Sequence, residues 1–260
     1  MKKYMVNVGD IIESKYHKGL FFEILHIDRR KNNRYTIKFL DEYKYTYTLT
    51  KSAGSILNGQ VRNPYSPTVF GVGYIGVGVF SPTTEDGRKH TKVYDCWKNM
   101  MMRGYSDRYK KQNPTYESVC VCKEWHNFQN FAKWYKLNYN LKVEQVIGET
   151  LHLDKDLYDS KEYSPNTCIF IPKKMNSFMS GGNKKNTYGN TLELGVRKEG
   201  NSYSARIVPF GETNAIHLGS YKTLDEAVLV RINRRLVETD KARNWMLALG
   251  YPKDIVDRIK

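Results

Sequence analysis

Residues 177–190, SFMSGGNKKNTYGN, are too polar and too rich in glycine and asparagine to hold a core of their own. A chain interrupted there has to bury its apolar side chains in separate places on either side. The 260 residues, 40% of them hydrophobic, suffice for two or three small domains. Gly59, Asn63-Pro64 and Ser66-Pro67 mark a second boundary. The chain therefore reads as three modules, 1–66, 67–180 and 188–260, of mixed α+β class.

In the first module, alternating β-prone runs at Phe21–Ile27, Arg34–Leu40 and Tyr45–Leu49 are separated by turn-prone residues. They predict a small antiparallel meander or barrel. In the second, residues 71–78 contain G-V-G-Y-I-G, formally a dinucleotide-loop spacing, but Val77 to Pro82 reads as strand and turn, so no nucleotide site is expected. Val93, Trp97, Met100 and Met101 predict a helix over 91–105. Trp125, Phe128, Phe131, Ala132 and Tyr135 predict another over 125–135, with the basic stretch 106–116 as a loop between them. The third module predicts strands at 192–197, 203–208 and 216–221. A helix then runs from Thr223 towards Glu238, opened by a Thr-x-x-Glu capping box and packed through Ala227, Val230 and Leu236. Residues 242–260 read as a helical extension with no assigned place.

The chain carries 42 Lys and Arg against 27 Asp and Glu, a net charge of +15. The excess is spread over all three modules, which predicts a polyanionic partner contacted along the chain rather than by a tail. Twenty tyrosines among these cations offer hydroxyl donors and flat faces to nucleic acid, although strands also enrich tyrosine. No apolar run reaches the roughly 20 residues needed to span a bilayer, and the start MKKYMVNVGDII lacks a signal-like apolar segment. No membrane partner and a cytoplasmic location are expected, the host cytoplasm if a phage encodes the chain. Cys120 and Cys122 would face opposite sides of a strand, and no second ligand pair accompanies them. Free thiols are expected rather than structural zinc or disulfides.

One ordered set of motifs stands out. Tyr94-Asp95-Cys96-Trp97 and Cys122-Lys123-Glu124-Trp125 precede Leu151-His152-Leu153-Asp154-Lys155-Asp156, Tyr163-Ser164-Pro165-Asn166-Thr167-Cys168-Ile169-Phe170-Ile171-Pro172, and Lys173-Lys174-Met175-Asn176. Over about 91–178 this resembles the phage and homing-endonuclease branch of the HNH (ββα-metal) nucleases. The resemblance implies Asp154 and Asn176 as ligands of Mg²⁺ or Mn²⁺, and Asn166 as the residue steadying the loop. Lys155 stands where that family has its base histidine. A lysine protonated at neutral pH cannot accept a proton from water unless its pKa is strongly depressed. His152, two residues before Asp154, either shares that strand face as a displaced base or is structural.

Residues 191–238 resemble the plant ethylene-response-factor (Apetala-type) DNA-binding domain. The similarity is carried by Leu194-Gly195-Val196-Arg197, Tyr203-Ser204-Ala205-Arg206-Ile207, His217-Leu218-Gly219-Ser220-Tyr221-Lys222 and Asp225-Glu226-Ala227. It implies a three-stranded sheet laid in the major groove of double-stranded DNA. Arg197 and Arg206 would be the base contacts, with Tyr203 and Lys222 as phosphate or packing partners. Together the two resemblances imply a metal-dependent DNA endonuclease or nickase. The alternatives are an inactive DNA-binding or regulatory remnant and a protein that binds another protein through its first module.

Overall fold

The computed structural model describes residues 5–30, 33–181, 191–193 and 195–260. The chain is α+β and divides into two compact units, Met1–Lys133 and Trp134–Lys260.

The first unit opens with β1 (Ile11–Glu13), β2 (Phe21–Asp28), β3 (Arg34–Phe39) and β4 (Thr46–Thr50), an antiparallel meander in that order. Alternation turns Phe22, Ile24, Tyr35, Ile37 and Phe39 into one core. The short helix α1 (Ala53–Leu57), not foreseen in the sequence, adds Ile56 to it. Residues 71–78 make turns rather than a phosphate loop. A Cβ on Gly76 would fall 2.3 Å from the Asn127 side chain, and one on Gly78 would fall 2.3 Å from Gln129. These glycines admit Gln129, which donates to the Phe80 carbonyl at 2.9 Å and accepts from the Phe80 amide at 3.0 Å.

Helix α2 (Lys92–Tyr105), capped by Thr91, buries Trp97, Met100 and Met101 as its spacing predicts. The expected loop at 106–116 is instead α3 (Asp107–Gln112), capped by Ser106, followed by a 3-10 turn. After β5 (Cys120–Val121), Trp125 lies in a second 3-10 turn, and α4 (Phe128–Asn138) starts three residues later than expected. The Trp97 indole donates to the Trp125 carbonyl at 2.7 Å, which locks that turn to α2.

In the second unit, α5 (Leu141–Ile147) precedes β6 (Leu151–Asp154), β7 (Glu162–Tyr163), β8 (Ile169–Pro172) and α6 (Lys173–Gly181). Strands β6 and β8 pair antiparallel, with Leu151 opposite Pro172 and Asp154 opposite Ile169, and α6 follows at once, giving a ββα unit. Residues 177–181, expected as the start of a linker, are the last turn of that helix; 182–190 lie outside the described residues. A second sheet has the order β12-β11-β10-β9, from β9 (Thr191–Glu193), β10 (Val196–Glu199), β11 (Ser202–Ile207) and β12 (Ile216–Tyr221). The strand expected over 192–197 folds back on itself because Gly195, at φ +75°, turns the chain between β9 and β10.

Helix α7 (Leu224–Ala248) runs well past Glu238, and α8 (Lys253–Val256) follows it. Thr223 and Glu226 close the capping box at 3.3 and 3.1 Å. Near its start α7 packs on the sheet through Leu224, Ala227 and Val228, whereas Leu236, expected to face the sheet, is exposed. Further on, Ala242 and Met246 join Ile255, Val256 and Ile259 in one core with Ile171, Met175 and Phe178 of the ββα unit. The extension therefore has a place: it closes the core under α6. A fragment of residues 188–260 would expose this apolar stripe, at roughly 1.5–3 kcal/mol for each large side chain uncovered. It is expected to unfold broadly and at low temperature, whereas residues 134–260 melt cooperatively. A sharp calorimetric transition in the shorter fragment would contradict the shared core.

Candidate active site

Alternation along β6 sends His152 and Asp154 to one face. Because α6 begins directly after β8, Asn176 is carried back over that strand in the first helical turn. Its Nδ2 lies 3.4 Å from His152 Nδ1. Asp154 and Asn176 line one cleft of about 260 Å³, whose walls also include Asp156, Asp159, Arg231 and Arg235. Asp154 is only 4% exposed, and its Oδ1 accepts the Leu157 amide at 2.9 Å. Burial, reinforced by the neighbouring charge of Asp156, pushes its carboxyl up to about 6 against the lowering effect of that amide.

Two other sequence-predicted residues stand elsewhere. Lys155 follows the end of β6, where the backbone leaves the extended conformation (ψ −16°), and it is not among the residues lining the cleft. It is buried, donates to the Asp156 carboxylate, and lies 5.5 Å from the Tyr163 ring centroid. Asn166 is exposed in the turn before β8. The loop is steadied by Thr167, whose hydroxyl donates to the Glu162 carbonyl at 2.6 Å and accepts the Ser164 amide at 3.0 Å.

The cleft also contains four cations to which the sequence analysis assigned no role. Arg231 and Arg235, one helical turn apart on α7, line it, and Arg258 and Lys260 do so beyond α8. The i, i+4 spacing of the two arginines was the available signal, but spacing alone does not say what a helix face meets.

On the second sheet, Val196, Tyr203, Ala205 and Leu218 pack towards Ala227 and Val228 of α7. Tyr203, a candidate DNA contact, is thereby a packing residue. Arg197 pairs in register with Ser204, and by alternation Arg206 shares that outer face; both arginines are exposed. Lys222 is exposed at the end of β12, just before the α7 cap. The sheet thus presents two arginines on adjacent strands, on the side away from its helix.

No family model, curated protein or solved structure matches the chain. Chemically, the cleft has one buried carboxylate, one side-chain amide and a nearby imidazole. Among the described residues no three His, Cys, Asp or Glu side chains converge as a metal cage. The set still fits a hard divalent cation, because Mg²⁺ commonly rests on one or two carboxylates and completes its shell with water and phosphate. A buried carboxylate whose pKa is raised by desolvation is also an anion that a bound cation would stabilise. No described helix is long and apolar enough to cross a membrane.

Proposed function

We propose that the protein is a metal-dependent endonuclease or nickase of double-stranded DNA, with an HNH-like ββα cleavage unit and an ethylene-response-factor-like sheet that reads the duplex. The observation that carries this reading is the meeting of Asp154 and Asn176, over 20 residues apart, on one cleft of a ββα unit. Asp154 and Asn176 would hold Mg²⁺ or Mn²⁺, and when bound the ion supplies polarisation of the phosphate and stabilisation of the leaving oxygen. His152, whose Nδ1 lies 3.4 Å from Asn176 Nδ2, would be the group that takes a proton from water. Asp156 is held by Lys155 and so keeps a second carboxylate on the cleft wall with its charge partly offset.

The reading is tested by incubating supercoiled plasmid and phage or host DNA with the protein, with and without Mg²⁺ or Mn²⁺. Metal-dependent nicking or linearisation is expected. Duplex binding without cleavage under every condition would leave the second reading, a DNA-binding remnant, which the inward position of Lys155 favours. Arg197→Ala and Arg206→Ala are each expected to weaken binding to the preferred sequence by roughly 1–3 kcal/mol, with little change on unrelated duplexes. Competition binding against scrambled DNA checks this, and unchanged selectivity in both variants would move the reading surface elsewhere.

A further inference from the structure

The arginines of the cleft are built to hold something. Arg235 lies 3.7 Å from the Phe178 ring centroid and donates to the Phe178 and Lys260 carbonyls, while Arg258 lies 4.9 Å from the Tyr158 ring centroid. A guanidinium stacked on an aromatic ring is oriented yet keeps N–H edges for an anion. Arg231 crosses under the β9–β10 turn, so close that a Cβ on Gly195 would meet its Nε at 2.4 Å. The carboxylates of the cleft are already engaged: Asp156 accepts from Lys155, Asp159 pairs with Lys260 at 3.0 Å, and Asp154 accepts the Leu157 amide. Burial, together with the nearby charge of Arg231, lowers the Arg235 pKa, as expected where cations are gathered at a half-buried site. At about 260 Å³ the cleft is several times the ~30 Å³ share of a water molecule, enough for a phosphate group. Arg231 and Arg235 also wall a neighbouring cavity of about 810 Å³ together with Lys173 and Lys174.

We infer that Arg231, Arg235 and Arg258 form a phosphodiester-binding wall that seats the DNA backbone opposite Asp154 and Asn176. This rests on the DNA reading proposed above and deepens it. The same helix that supports the reading sheet through Ala227 and Val228 carries Arg231 and Arg235 into the cleft. Gripping the duplex and presenting a phosphate to the ββα unit are then linked through one rigid element. Arg235 also bonds two carbonyls of the fold, so the test falls on Arg231 and Arg258.

The test measures the affinity of the full chain for a random-sequence 30-base-pair duplex, in EDTA, over a range of salt concentrations. Arg231→Gln with Arg258→Gln is expected to weaken binding roughly 10-fold or more and to lower the log Kd against log salt slope by roughly 1–2. The loss should be equal for all sequences, unlike that of Arg197→Ala. The corresponding double lysine variant should keep the slope, because each point charge is retained. Arg258→Gln alone, at an exposed residue, should give a part of the same loss and serves if the double variant folds poorly. Wild-type affinity and slope in both glutamine variants would overturn the phosphate wall and leave the DNA reading standing. Failure of the wild-type protein to bind duplex even at low salt would overturn both.

Discussion

On the nuclease reading proposed above, Asp154→Ala is expected to lower divalent-dependent cleavage by roughly 10²–10³-fold or more while duplex affinity in EDTA stays close to that of the wild type. A carboxylate that holds a cation matters most when charge builds on the phosphate, and much less for binding the backbone. The same side chain gives a stability signature of opposite sign. Its folded pKa of about 6 lies above the ~3.9 of an unfolded aspartate. The metal-free fold therefore holds the protonated form better. That contribution is fully present below about pH 3.9 and is lost as pH rises through 6, up to roughly 3 kcal/mol. Asp154→Asn keeps an oxygen for the Leu157 amide and removes the charge. In EDTA at pH 7.5 it should melt several degrees above the wild type, with the gap narrowing at pH 5. If calorimetry finds equal or lower stability at pH 7.5, the carboxylate is not the buried anion described above.

The second large effect is expected at Glu238, which is fully buried near the middle of α7. It accepts the Phe210 amide at 2.9 Å and pairs with Arg234 at 2.8 Å and Lys241 at 2.9 Å. Burial penalises its charge, but the hydrogen bonds from Lys241 and Phe210 and the two cations hold its pKa below the usual carboxylate range. Phe210 in turn packs edge-on against Phe178 and tilted on Trp245, with the Lys174 ammonium over both Phe210 and Trp245. Glu238→Ala leaves the Phe210 amide without its acceptor and frees the loop after β11 from α7. Breaking a buried pair costs about 3–5 kcal/mol when a charge is stranded inside. Here Arg234 and Lys241 remain partly solvated, so about 2–3 kcal/mol is expected. Glu238→Gln keeps an acceptor and should lose about 1 kcal/mol. Urea unfolding of the two variants checks both, and equal losses would mean that charge, not the Phe210 amide, sets the cost.

Several parts of this molecule could be read from short-range pattern. Phe22, Ile24, Ile37 and Phe39 declare a strand face by alternation, Thr223 and Glu226 declare a helix start, and Trp97 with Met100 and Met101 declares a buried helical stripe. Each depends on residues within one turn or one pleat of each other, so no partner needs to be known. The order of β6, β8 and α6 is the one that the resemblance of the motifs at 151–156, 163–172 and 173–176 implied. The loop expected at 106–116 failed because its cations and tyrosines mask a six-residue helix capped by Ser106. The linker was placed too early because α6 continues to Gly181, through Phe178, which packs in the shared core.

By itself the sequence determined the α+β class, the basic charge, the strand carrying His152 and Asp154, and the helix carrying Asn176. Tertiary structure alone decided how these meet. Lys155 falls at the turn that ends β6, where it is buried against Asp156 and Tyr163, so the residue at the expected base position does not line the cleft. The long run of α7 past Glu238, imposed by Ala242 and Met246 packing on Met175 and Phe178, brings Arg231 and Arg235 beside Asp154. A helix periodicity specifies which residues share a face; only the packing of elements some 80 residues apart in the chain specifies what that face meets.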